Sequence, residues 1–438
     1  MEPVIMRPDS EQYQNKKSTR VMLFWALIFL SGVALSGCGA PAWKTPEPLD
    51  QVDFKSRSVT LSENDLVVTV AVPTRHETEQ IFGTSLYSDA IQPVWVEVRN
   101  NGEGAFLLNK PGMDDNNFSA LEVSYQRHSG SKETRASMDK FFRDMSFQNP
   151  IDSGEVVSGF VFTHIHEGYK AVNIDLVGRQ KLENFSFVVE VPGLLTHEKK
   201  VDFDNLYDLW TNIDSEDELR RVLESLPCCT TSKNGKIRGD PLNIVMIGNR
   251  MDIFSALIRR GWAQSEVTYS KSAIKTMKSF VIGAGYLYSP ISPLYVYERV
   301  QDLGLQKSRS SINRRNHMRL WRTPYNFRGE EVYIGQISRD IGVKFSRRSV
   351  FTHAIDPDVD DTRDGLAGDM AYSQALAKIA WVKGSQRSTV DKPHYNLTPD
   401  LYLSDGNRIV LFFAERPRTL SEIKILEWEQ YRLSDALK

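Results

Sequence analysis

The chain has 438 residues, room for two or three domains. Hydrophobic residues make up 41% and charged residues 25%, a composition from which ordinary folded domains can be built. The formal net charge of -2 argues against a globally basic nucleic-acid binder, so no nucleic-acid partner is expected.

The N-terminus carries the clearest signal. Lys16, Lys17 and Arg20 precede an apolar run from Val21 to Ala34. That run is short for a bilayer span and suits the apolar region of a secretory signal peptide. Leu35-Ser36-Gly37-Cys38 follows, and it resembles the lipobox of bacterial lipoproteins. The resemblance implies cleavage after residue 37, a diacylglycerol on the Cys38 sulfur and acylation of the new amino terminus. Several acyl chains make a durable anchor, at ~0.8 kcal/mol per buried CH₂. The expected location is the bacterial cell envelope, with the membrane as partner through Cys38. Gly39, in place of an aspartate, favours an outer membrane and a face toward the periplasm. Residues 38–52 hold Pro41, Pro46 and Pro48 and read as a tether.

From 53 to 195 the period is two. Leu66, Val68, Val70 and Val72 alternate with Val67, Thr69 and Ala71, and Val94, Val96 and Val98 with Trp95, Glu97 and Arg99. Val157, Val161, Thr163 and Ile165 share a face, as do Phe185, Phe187, Val189 and Val191. Asn101-Gly102 marks a turn. This pattern predicts an antiparallel β-sandwich, with a helical insertion near Ser137–Met145.

Residues 196–236 read as a helical linker, its helix opened by a capping box of Ser215 and Glu218 and stopped at Pro227. Cys228 and Cys229 lie side by side in it. An oxidising compartment permits a disulfide there, but neighbouring Cα atoms are only ~3.8 Å apart, so a vicinal bridge is strained. A structural or vicinal pair is favoured over a redox site, since C-x-x-C spacing is absent.

A second domain, α/β or α+β, is expected over 237–418. "LNIVMIG", "PLYVYERV", "HMRLWRT", "EEVYIGQIS" and "RIVLFFAE" are its strand candidates. "MDIFSALIRRGW" predicts a helix with Arg259 and Arg260 in its last turn and Gly261 as its stop. Further helices are expected over 270–282, over much of Asp361–Ala380 and over 419–438.

No P-loop, G-x-S-x-G or H-E-x-x-H motif is present. His164 and His166 could share a strand face, without an identifiable third metal ligand. Residues 299–348 are rich in basic side chains, whose forked donors suit phosphate and carboxylate oxygens. Arg314, Arg315, Arg347 and Arg363 are ligand-binding candidates on that ground. A solvated face paired with acids elsewhere explains the same charges. His317 or His353 could serve as acid or base, Arg319 and Arg339 could hold an oxyanion, and Asp340 or Asp356 could orient a histidine. That site requires these residues to converge. The run "HAIDPDVDDTRD" lacks the glycine and glutamate of an EF-hand loop. Aspartates capping a helix start, with Asp364 and Asp369 packed against the basic strands, explain it better. No metal or cofactor is predicted.

Five stretches together resemble the LssY C-terminal domain family: "DPLNIVMIG", "SPISPLYVYERVQDLGLQK", "NHMRLWRTP", "ISRDIGVKFS" and "HAIDPDVDDTRD". They span about 180 residues from near 237 to near 415. Some relatives join this domain to membrane segments and a lipid-phosphatase domain, so the resemblance implies work on envelope lipids or phosphate esters. This chain has no recognisable phosphatase signature, and no catalytic residue is carried over. The expected function is an envelope lipoprotein that binds an anionic lipid or phosphate-containing ligand. A hydrolase of phosphate esters and a non-catalytic accessory of export or envelope assembly are the alternatives.

Overall fold

The computed structural model describes residues 43, 46, 48–114, 116–267, 288–311, 314–344 and 352–429. Cys38, the signal segment, Arg347, the expected helix over 270–282 and the chain beyond 429 lie outside the described residues, as do the side chains of Arg314 and His353.

Seven strands build the N-terminal sandwich: β1 (Val59–Glu63), β2 (Leu66–Ala71), β3 (Ile91–Asn100), β4 (Leu107–Leu108), β5 (Val156–His164), β6 (Gly168–Gly178) and β7 (Lys181–Val191). One sheet runs β1-β2-β3-β5 and the other β4-β6-β7. The alternation in sequence sets the register. Val68 faces Val98 and Val70 faces Val96, so their side chains share the inner face. Val172, Ile174, Leu176, Phe185, Phe187 and Val189 meet them from the other sheet. The outer face of the first sheet is buried as well. Trp95, Phe160 and Phe162 pack there beneath the helices Arg75–Phe82, Ala120–Gln126 and Lys132–Met145. Gly159, opposite Val96, is required by the close approach of the Ser146–Phe147 segment, since a Cβ on it would lie 2.6 Å from the Phe147 Cα. The Asn101-Gly102 turn does not close a hairpin; the chain crosses to the other sheet, where β4 pairs with β6.

The C-terminal domain is organised on a ten-stranded sheet. Its strands include β8 (Thr211–Ile213), preceding a small sheet of β9 (Cys229–Thr231) and β10 (Arg238–Pro241), then β11 (Ile244–Ile247) and β12 (Ala263–Gln264). The hairpin β13 (Tyr295–Val296) and β14 (Arg299–Val300) joins the small sheet. The long strands β15 (Leu303–Ser311), β16 (Arg314–Phe327) and β17 (Glu330–Lys344) come next, followed by β18 (Thr352–Ile355) and β19 (Leu376–Lys383). A separate hairpin holds β20 (His394–Tyr395) and β21 (Leu401–Tyr402), before β22 (Asn407–Phe413) and β23 (Lys424–Ile425). The main path is β12-β15-β16-β17-β11-β22-β19-β23, with β18 on β17 and β8 on β16. Helices Arg250–Arg259 and Val359–Tyr372 cover one face, where Phe254, Leu257, Leu366 and Met370 meet Met318, Leu320 and Ile337. Helix Glu216–Ser225 covers the other through Leu219 and Leu223, which meet Trp321, Val332 and Val410.

Five expectations change. Residues 211–231 are not a free linker, because β8 joins the sheet and the helix after it is part of the core. Ser215 occupies the N-cap of that helix but its side chain makes no capping bond; Glu216, Asp217 and Glu218 face the dipole instead. "PLYVYERV" is a tight hairpin turning at Tyr297 and Glu298, with φ of 52° and 62°. The helix expected to Ala380 ends at Tyr372, and residues 376–383 form β19, a strand apolar on both faces. Residues 420–425 are a 3-10 turn and β23, which pairs in parallel with the open edge of β19, so the terminal helix is not seen over 419–429. Among the described residues no helix is long and apolar enough to cross a membrane.

Candidate functional site

Register separates the basic strand residues onto two faces. Directly opposed residues share a face, and His317 pairs with Ser338 while Asn316 pairs with Arg339. Arg315, His317 and Arg319 therefore lie on one side with Gln336, Ser338 and Asp340. They are buried there, together with Gln306 of β15. His317 Nε2 lies 3.5 Å from Asp340 Oδ2, and Arg315 Nε lies 3.8 Å from the same oxygen. Arg319 donates to Gln336 Oε1 at 2.9 Å and to the Ser292 carbonyl at 3.1 Å. Asp340 is 2% exposed. Burial pushes its carboxyl up to about 7, against the pull of Arg315 and Arg319. His197 closes over this face, and Gly304 lets it approach: a Cβ there would lie 2.5 Å from Ser265 Oγ and 3.3 Å from the His197 ring. Burial, aided by Lys200 and Arg319, pulls His197 down to about 4. The cluster thus holds guanidiniums, a histidine and a carboxylate in contact.

Arg339 and Asp356 do not join it. Arg339 lies on the helix-covered face, where it meets Asp361 at 2.6 Å and Asp356 at 3.5 Å. His317 is not brought together with Arg339 and Asp356, because alternate residues of β17 point through opposite faces of the sheet. His353 stands opposite Val343 on β18. Arg363 is 1% exposed, and all three of its guanidinium nitrogens are occupied by Asp360, Asp364, Asp405 and the Asn407 carbonyl. It has no donor left for a ligand. The acidic run is accounted for in the same way. Asp358 caps the helix through the Asp360 and Asp361 amides, and Asp369 receives Lys307 and Arg260.

A different group of cations surrounds open space. Between the sandwich and the second domain lies a cavity of about 560 Å³, lined by Asp114, His164, His166, Lys170, Asn173, Arg259, Arg260 and Gln374 among others. The junction beside it is firm. Tyr169 stacks on Phe254 with ring centroids 5.4 Å apart, and its hydroxyl donates to Glu198, which also receives Gln264. Lys170 sits on β6 at an inward position and is 4% exposed. Its Nζ donates to the His164 carbonyl at 2.7 Å. Burial pulls this amine down to about 7, against the field of Asp114. Burial likewise pulls His166 down to about 4, so that ring is neutral near pH 7. The pair His164 and His166 is split: β5 ends at His164, whose Nδ1 meets Asp114 at 2.9 Å. The Arg250–Arg259 helix brings Arg259 and Arg260 to the cavity with its last turn, and the Nε of each has no hydrogen-bond partner among the described residues. Arg259 and Gln374 also line a second cavity of about 360 Å³, bordered by Leu61, Phe187, Met251 and Ala375. The two spaces adjoin through the shared walls Arg259 and Gln374; this groove has a cationic end, and a more apolar end that also carries Asp252, Glu415 and Arg416.

Sequence reasoning passed over Lys170, Arg259 and Arg260. The signal for Lys170 was present, since it interrupts the inward series Val172, Ile174, Leu176. The two arginines were read only as charges at a helix end.

Residues 220–407 match the family model described as LssY C-terminus; Arg315, His317, Arg319 and Asp340 of the buried polar cluster, and Arg259 and Arg260 of the groove, lie within the matched stretch. No curated protein matches the chain.

Proposed function

We propose that this chain, an LssY C-terminal domain carried behind a β-sandwich, is a lipid-anchored protein of the bacterial envelope that binds an anionic amphiphile between its two domains. The observation that carries this reading is the charge of the groove. Lys170, Arg259 and Arg260 line its cationic end, where the lining carboxylate Asp114 is engaged by His164; Arg260 also meets Asp369, and Asp252 and Glu415 line the far end. Cations held in a partly desolvated cleft attract an anion more strongly than exposed ones do. The apolar end beyond Arg259 suits an acyl chain, and the size falls in the range of small-molecule sites. The envelope location rests on the signal run and on Cys38, whose lipid would place the groove near a supply of such ligands.

Calorimetric titration with decanesulfonate tests the groove. Micromolar binding is expected, weakened at least ~10-fold in Lys170→Met and in Arg259→Met, which corresponds to ~1.4 kcal/mol each. Equal affinity for uncharged decyl maltoside, or unchanged binding in both variants, would sink the reading. For the anchor, labelled palmitate should enter the wild type and not Cys38→Ala; equal labelling removes it.

The His317–Asp340 contact favours one second reading, a hydrolase of phosphate esters or envelope lipids. There His317 exchanges a proton with Asp340 behind it, and Arg315 and Arg319 hold the oxyanion. Hydrolysis of a phosphate-ester panel that persists in His317→Ala would exclude it.

A further inference from the structure

Cys228 and Cys229 belong to neither site. They follow the Glu216–Ser225 helix and open β9. Both are free thiols, and they differ in surroundings. Cys228 is half-buried, whereas Cys229 is 4% exposed. Cys229 Sγ donates to Gln386 Oε1 at 3.3 Å. The Gln386 amide nitrogen lies 3.2 Å from the His394 ring nitrogens, and that ring stacks on Tyr402. Arg408 holds the carbonyl of Pro227 directly before the pair, and Arg238 stands on the adjoining strand. The neighbouring Cys229 thiol, with the fields of Arg238 and Arg408, pulls the Cys228 thiol down to about 6. The neighbouring Cys228 sulfur and burial push Cys229 up. Two adjacent free thiols of unequal burial point to sulfur chemistry.

We propose that Cys228 and Cys229 are a dithiol exchange site that reduces a small disulfide bearing carboxylates, with Cys228 attacking and Cys229 resolving. The Cys228 thiolate attacks one sulfur of the disulfide. A mixed disulfide forms on Cys228 and the first thiolate leaves. Cys228 then carries no charge, so its repulsion no longer holds the proton on Cys229. Cys229 gives its proton to the departing thiolate and attacks the Cys228 sulfur. The second thiolate leaves and takes a proton from water. The substrate disulfide is reduced by two electrons to two thiols, and the protein keeps a Cys228–Cys229 disulfide. Gln386 is a positioning residue, holding the Cys229 sulfur beside its neighbour while His394 fixes the amide. Arg238 selects for carboxylates. The bridge across adjacent residues is shorter than ordinary disulfides allow, which makes it easily reduced and suits turnover better than a structural role.

The reduced full chain, incubated with oxidised glutathione at pH 7 and quenched with iodoacetamide, gives the test through mass spectrometry of the peptide holding both cysteines. That peptide separates the result from Cys38. The wild type should release two glutathione equivalents and lose two protons from the peptide. Cys229→Ser should stop at one equivalent with glutathione on residue 228, and Cys228→Ser should react at least ~10-fold more slowly. The wild-type rate should be half-maximal near pH 6, shifting upward in Cys229→Ala. Gln386→Ala should prolong the mixed disulfide without slowing its formation. Uncharged hydroxyethyl disulfide should react more slowly than oxidised glutathione, by a margin lost in Arg238→Ala. First attack at Cys229, a wild-type mixed disulfide that persists, or a rate no faster than free cysteine would overturn the proposal.

Discussion

Arg408 is fully buried and has no carboxylate partner among the described residues. Its guanidinium donates to five carbonyls, those of Leu223, Leu226, Pro227, Leu242 and Gly384. Three of them close the end of the Glu216–Ser225 helix, where carbonyls carry partial negative charge and lack partners within the helix. Burial pulls the group down to about 10, which leaves it charged at neutral pH. Arg408→Met should cost ~3–5 kcal/mol in urea unfolding, because buried acceptors are left unpaired. Arg408→Lys should recover less than half, since a point charge cannot reproduce the fork. A loss under ~1 kcal/mol in Arg408→Met would show that the carbonyls find other donors. Asp340 gives a prediction in pH. Its carboxyl stands up at about 7 in the fold against an ordinary 3.8. The folded state therefore binds more protons between those values, and stability falls as pH rises through about 7. Asp340→Asn resembles the neutral acid and lacks this titration. Between pH 4.5 and 8 the wild type should lose ~2–4 kcal/mol more than the variant, and parallel profiles would refute the assignment. The residue types of this cluster were visible in sequence, as basic strand residues with a histidine and an aspartate. Their grouping was not, because partners such as Asp369 for Lys307 and Asp361 for Arg339 come from distant segments.

At the level of elements, the sandwich was legible because one face of each strand is apolar and period two survives. The end of the Val359–Tyr372 helix was not. In β19, Leu376, Ile379 and Trp381 meet one core while Ala380 and Val382 meet the other, so no alternation marks a strand. Glycine is also missing where the helix stops. Gln374 supplies the left-handed turn itself, at φ 62°. A side chain costs roughly 1 kcal/mol in that conformation and glycine does not. Gln374→Gly should therefore raise stability by about 0.5–1 kcal/mol in urea unfolding, with an unchanged denaturant slope. Destabilisation would show that the Gln374 side chain supports the groove it lines. The same kind of silence hid the β13–β14 hairpin, whose two turn residues are Tyr297 and Glu298 instead of the usual Asn-Gly.

For the whole molecule, the tether is shorter than the prolines implied. Trp43 is already buried, its indole donating to the Phe82 carbonyl at 2.8 Å, and Val52 and Phe54 belong to the same core. Only four residues separate Cys38 from Trp43, a reach of ~17 Å at full extension. On the proposed anchor, the sandwich stands against the membrane surface, and the groove at its junction with the LssY C-terminal domain stays close to the lipid. Binding there should carry the titration of Lys170. The amine is cationic below about 7 and neutral above it. His166 is already neutral above about 4. A ligand of fixed charge, such as decanesulfonate, should therefore bind more weakly as pH rises from 6 to 8.5. Loss of one partly desolvated cation predicts a fall of roughly 10-fold, ~1.4 kcal/mol. His164 and Asp114 face the same space, so the comparison that isolates the amine is Lys170→Met: its affinity should start lower and stay nearly flat over that interval. A wild-type profile as flat as the variant's would mean that Lys170 does not meet the anion, and the cationic end of the groove would have to be assigned to the arginines alone.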